Sequence, residues 1–185
     1  MSPRLLAAAL LSVAAAAPAF AAPETYELDA THTYPSFEIN HLGFSVMRGS
    51  FTATKGTLML DNAAKKGSVD ATVDVSSVST GYGKRDDHLR SKDFFNAAQF
   101  PTMEFKADNF DWDAKATQVA GNLTLLGVTK PLTVEVAVER AAGGKGRLEF
   151  EAQTRIDRLE FGMNSGFPLV SREVRLTIRS AAAPA

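Results

Sequence analysis

The chain predicts an all-β fold: an antiparallel up-and-down barrel of about eight strands with one short helical insert over about residues 83–96. Apolar and polar side chains alternate with a period of two in segment after segment, the signature of half-buried antiparallel strands. Polar or glycine-bearing turns separate these segments at hairpin intervals, and a single charged, helix-compatible block interrupts the series. Closure into a barrel removes the exposed strand edges that an open sheet would leave. A β-sandwich is the other architecture that this pattern allows.

The elements follow in order. Arg4, the apolar run Leu5 to Ala17, Pro18 and the small-residue motif Ala19-Phe20-Ala21 read as a signal peptide over residues 1–21, cleaved after Ala21. The run is shorter than the roughly 20 residues that span a bilayer, so export to the periplasm or beyond is expected, not anchoring. A single barrel domain is expected over residues 22–180. The small residues at 181–185 read as a disordered tail.

Within the domain, Val69, Ala71, Val73 and Val75 alternate with Asp70, Thr72 and Asp74, and Met103, Phe105 and Ala107 alternate with Thr102, Glu104 and Lys106. Leu132, Val134, Val136 and Val138 form a further apolar stripe, followed by Leu148, Phe150 and Ala152, and by Val174, Leu176 and Ile178. Turns are predicted at Asp61–Gly67, Asn109–Thr117 and Ala141–Gly146, and Leu126-Gly127-Val128-Thr129-Lys130 joins two strands. Pro131 sits at a strand start, where the missing N–H is tolerated. Ser79 to Phe105 is the exception: Arg85, Asp86, Asp87, His88 and Arg90 surround Leu89, and Phe94, Phe95 and Phe100-Pro101 return the chain to the core. This block reads as a plug or lid.

Composition narrows the function. A net charge of −1 with pI near 6.3 leaves no basic footprint for nucleic acid. The absence of cysteine removes disulfides and thiol chemistry. No HExxH, no G-x-S-x-G elbow and no phosphate loop is present, since Gly143-Gly144-Lys145-Gly146 lies between β segments, so no enzyme is expected. His32, His41 and His88 leave a His-dependent metal site open. An outer-membrane barrel is excluded because the strand faces opposite the apolar ones carry Glu, Lys, Arg and Asp.

Three separated stretches, HLGFSVMRGSF, RDDHLRSKDFFNAAQFP and GNLTLLGVTKPLTVEV, occur in one order, and on them the chain resembles the YceI family of secreted polyisoprenoid-binding proteins from Tyr26 to about Ile178. The resemblance implies a lipocalin-like barrel whose lumen holds an isoprenoid tail, that of a polyprenyl phosphate, a polyprenyl diphosphate or a quinone. No other cofactor is implied. Composition by itself favours a filled core instead, because large apolar strand residues are usually just buried, and a protein-binding module would follow from that.

Twelve phenylalanines supply candidate walls. The lumen candidates are Phe37, Phe44, Phe51, Phe95, Phe105, Leu123, Phe150 and Phe161. Head-group candidates at the mouth are His41, Arg48, Arg85 and His88, with His32, Asn40 and Lys84 nearby in sequence. Each has a structural alternative: an ion pair of Arg85 with Asp86 or Asp87, a helix cap from either aspartate, a solvated Lys84. Beyond the lipid, the partner expectation is transient contact with a membrane or a membrane enzyme. Oligomeric state has no signature in the pattern.

Overall fold

The computed structural model describes residues 22–112, 116–140 and 146–185. The expected signal segment at 1–21 lies outside the described residues, as does all of the expected 141–146 turn except Gly146. The described residues form eleven strands: β1 (Glu24–Leu28), β2 (Tyr34–His41), β3 (Ser45–Phe51), β4 (Thr54–Asp61), β5 (Lys66–Asp74), β6 (Val78–Ser79), β7 (Thr102–Asp111), β8 (Ala116–Leu125), β9 (Val128–Arg140), β10 (Leu148–Asp157) and β11 (Val170–Pro184). The order β1-β4-β5-β7-β8-β9-β10-β11 closes on itself through β1–β11, giving an eight-strand antiparallel barrel and not a sandwich.

The remaining three strands are continuations. β1 pairs with β4 and β2 with β3, so the first hairpin is one long ribbon interrupted near its middle. β5 passes through a 3₁₀ turn at Val75–Ser77 into β6, which pairs with the end of β3. Asp74 caps that turn by accepting from the Ser76 N–H.

Every sequence-derived stripe faces inward, and the outward faces carry ion pairs such as Lys106–Asp70, Arg155–Glu173 and Arg179–Glu151. Three inward phenylalanines pack over glycines of neighbouring strands. A Cβ on Gly49 would stand 2.4 Å from Phe37, one on Gly67 2.5 Å from Phe110, and one on Gly121 2.7 Å from Phe105. The glycines make room for rings where the sheet coils tightly.

Two expectations are corrected. The residues at 181–185 are not a tail: β11 runs to Pro184, Ala181 and Ala182 are buried, and Ala182 pairs with both Leu28 and Leu148. Small side chains are needed there because the strand passes between β1 and β10 at the point of closure. The helical insert is also shorter than expected, with α1 covering only Gly83–Arg90. The Ser91 hydroxyl donates to the His88 carbonyl and its backbone turns extended, after which Ser91 to Gln99 form successive turns. Neither aspartate caps the helix: Tyr82 holds the cap position without a side-chain bond, and buried Asp86 accepts instead from the N–H and hydroxyl of Thr80.

Candidate functional site

The inward stripes of the closed barrel do not meet across its axis. They enclose a cavity of about 510 Å³, within the roughly 300–1,000 Å³ of small-molecule sites, so the core is not filled. At the end carrying α1 its wall includes the exposed side chains of Arg48 and His88. Toward the opposite end it is lined by buried Phe110, Trp112 and Leu148. The α1 end is therefore the mouth.

Of the lumen candidates, Phe37, Phe51, Phe95, Phe105, Leu123 and Phe150 line the cavity. Phe37 and Phe51 stand 5.9 Å apart between ring centroids, and Phe95 meets Phe51 edge-on at 5.4 Å. Through this row the segment following α1 is fastened to the barrel wall by ring contacts.

Two candidates fall elsewhere. Phe44 is 82% exposed, at the tip of the β2–β3 hairpin. It lies in the turn between the two strands, one residue before β3 begins, where the strand alternation that turns Phe51 inward does not operate. Phe161 is buried in a 3₁₀ turn at Arg158–Phe161, where it packs with Leu123, Leu125 and Met163 and does not line the cavity.

The head-group candidates His41, Arg48, Arg85 and His88 all border the cavity, and three are already engaged with protein groups. Arg48 Nε donates to Glu38 at 2.6 Å, Arg85 donates to the Thr80 hydroxyl at 2.7 Å and carbonyl at 2.9 Å, and His88 pairs with Asp93 at 3.2 Å. Arg85 thus reaches the segment bound by Asp86, and does not pair with Asp86 or Asp87. His32 lies away from the mouth in the β1–β2 connection, where its Nδ1 meets Asp29 at 2.8 Å. Among the described residues no three His, Asp, Glu or Cys side chains gather as metal ligands would.

Several lining groups carry no sequence signal of their role. Arg158 is buried; its guanidinium donates to the carbonyls of Met163, Ser165, Val170 and Ser171, and burial pushes its pKa down from the usual arginine value. It pins the loop leading into β11. The lumen hydroxyls are mostly spent on the wall: Thr33 bonds Ser180 at 2.8 Å, Ser36 donates to Thr177 and Thr154 to Thr133. Thr54, also buried, has an Oγ1 with no hydrogen-bond partner. The interior therefore presents mostly hydrocarbon with a few neutral hydroxyls, and its charged lining residues are Arg48, Arg85, His88, Glu104 and the buried, carbonyl-bound Arg158.

The comparison with known proteins decides the family. The model of the YceI-like domain matches residues 26–182. The chain belongs to the YceI-like family. Protein YceI of Escherichia coli O157:H7 is 36% identical over 167 residues, covering 86% of each chain. Among solved structures, Burkholderia cenocepacia BcnA superposes with a TM-score of 0.76 at 23% identity, covering 84% of this chain and 99% of that one. A polyisoprenoid-binding domain from Saccharophagus degradans gives 0.71 at 17% identity, covering 86% and 98%. The Campylobacter jejuni YceI protein gives 0.69 at 27% identity, covering 80% and 90%. The closed eight-strand ring with one short helix is thus the YceI-like architecture, and the apolar cavity is where its chemistry must be sought.

Proposed function

We propose that this YceI-like barrel holds the hydrocarbon tail of an isoprenoid lipid in its lumen and carries that lipid, shielded from water, in the periplasm or outside the cell. The observation that carries the reading is the continuous and predominantly apolar cavity, walled by rings from Phe37 to Phe150. Each CH₂ transferred from water into such a tube contributes about 0.8 kcal/mol, so a tail of several isoprene units binds firmly without metal or covalent chemistry. The polyisoprenoid-binding description of the Saccharophagus degradans domain supports the choice of tail. The signal-like segment at residues 1–21 supports the compartment.

A charged head, where the lipid has one, would stay near His41, Arg48, Arg85 and His88, since moving a phosphate down the tube would strip its hydration without a compensating charge. Native mass spectrometry of protein purified from its exported location without detergent tests the reading. The expected result is a stoichiometric adduct that releases an isoprenoid lipid on solvent extraction. A bare mass that also takes up no added isoprenoid quinone or polyprenyl phosphate overturns it and returns the barrel to the protein-binding alternative.

A further inference from the structure

The misplaced phenylalanine opens the question of what the mouth touches. Phe44 is 82% exposed, Leu42 45%, Phe167 51% and Leu169 60%. These side chains belong to two loop tips at the cavity mouth, joined where the Leu42 N–H donates to the Leu169 carbonyl at 2.7 Å. Neither tip contains a charged residue, from Leu42 to Val46 or from Gly166 to Val170. The cavity wall begins beside them, at His41, Ser165, Gly166 and Val170.

Both tips are held in shape. Leu42 and Gly43 take left-handed backbone angles, with φ of 56° and 76°, in a tight turn between paired strands. The second tip is anchored by the four carbonyls that Arg158 binds. A fold that buries an arginine to hold apolar side chains in water is presenting them to something.

Charge identifies the partner. Four of the acids around this end are engaged, Glu38 with Arg48, Asp87 with Arg90, Asp93 with His88 and Asp157 with Arg172, while exposed Glu160 acts on Arg172 without a direct ion pair. Lys84 and Lys92, exposed on α1 and the turn after it, form no ion pair among the described residues. Exposed apolar tips and unpaired cations on one end of the barrel match an interface of acyl chains beneath anionic phosphates, where apolar side chains enter the headgroup layer and lysines meet its charge.

We propose that the mouth end docks on an anionic lipid bilayer, with Leu42, Phe44, Phe167 and Leu169 entering the headgroup layer and Lys84 and Lys92 facing its phosphates. The choice of a bilayer rests on the lipid-holding reading, because docking there aligns the cavity mouth with the source of its cargo. Protein and cargo then meet without the tail crossing water.

Flotation with vesicles of phosphatidylcholine containing phosphatidylglycerol tests it, using the full mature protein. Wild type is expected to float with these vesicles and less with pure phosphatidylcholine. The surface variant Phe44→Ser/Phe167→Ser should bind about tenfold more weakly or worse at unchanged melting temperature. Lys84→Glu/Lys92→Glu should abolish the preference for anionic vesicles. Failure of wild type to float, or equal flotation of the phenylalanine variant, overturns the proposal. So does a dimer in light scattering that the phenylalanine substitutions dissolve while no form binds vesicles, which would make this face a contact between copies. Uptake of an isoprenoid quinone delivered from cyclodextrin is measured in parallel: its absence in wild type sinks the lipid-holding reading, whereas uptake without flotation sinks only the docking.

Discussion

Thr54 shows how a single atom reports on the lumen. It opens β4 with its side chain turned inward, and its buried hydroxyl finds no partner in the wall among the described residues. An unmatched buried hydroxyl costs roughly 1–3 kcal/mol, so Thr54→Val, which keeps the shape and removes the oxygen, is expected to stabilise the protein by about 1 kcal/mol. Urea unfolding checks this; a variant less stable than wild type would mean that the hydroxyl is satisfied, by water or a bound lipid. The sequence offers no hint of such a role, since threonine is at home in any strand. Phe44 is the opposite case. It lies in the turn at residues 42–44, where no alternation fixes a face, and Gly43 beside it is the sequence sign of that turn.

At the scale of elements, the connection between β1 and β2 is organised by Asp29. One carboxylate oxygen accepts from the Thr31 N–H at 2.9 Å and from its hydroxyl at 2.6 Å, and the other meets His32 and Arg147. The hydrogen bonds from Thr31, with a smaller contribution from His32, lower the Asp29 pKa from 3.8 to about 2. A carboxylate depressed in the folded state stabilises fully above its unfolded value, and that stabilisation fades as pH falls from 3.8 through about 2. Wild type should therefore melt above Asp29→Asn at neutral pH, with the gap closing between about pH 4 and pH 2. Melting curves across that range check it, and a gap constant with pH would show that the turn does not depend on the charge. The elements differ in how far the sequence alone defines them. β5, β7, β9, β10 and β11 were legible from alternation, whereas the interrupted ribbon β1–β2 against β3–β4 was not, because its breaks are defined only by pairing across strands.

The whole molecule depends on its last residues. Residues 182–184 of β11 pair with β1, which in turn pairs with β4, so a few bridges close the ring. Truncation after Ser180 removes these and uncovers Tyr26, Leu28 and Leu148, which gather around Ala182. The expected loss is about 2–4 kcal/mol, accompanied by rapid hydrogen exchange in β1. Unfolding in urea and exchange mass spectrometry measure both, and unchanged values would show that the barrel closes without this bridge. An Ala-Ala-Ala-Pro sequence gives no sign of this duty, since its contribution is smallness at a crowded crossing.

Period-two alternation, turn residues at hairpin spacing and one charged interruption were enough to specify antiparallel strands with one short helix, because those patterns are local consequences of strand and turn geometry. The aromatic wall from Phe37 to Phe150 was readable for the same reason. Closure through β1 and β11, the open lumen and the exposed tips around Phe44 and Leu169 were decided by tertiary structure. Whether inward side chains touch or leave a space depends on barrel radius and strand stagger, which arise from pairings between residues far apart in the chain.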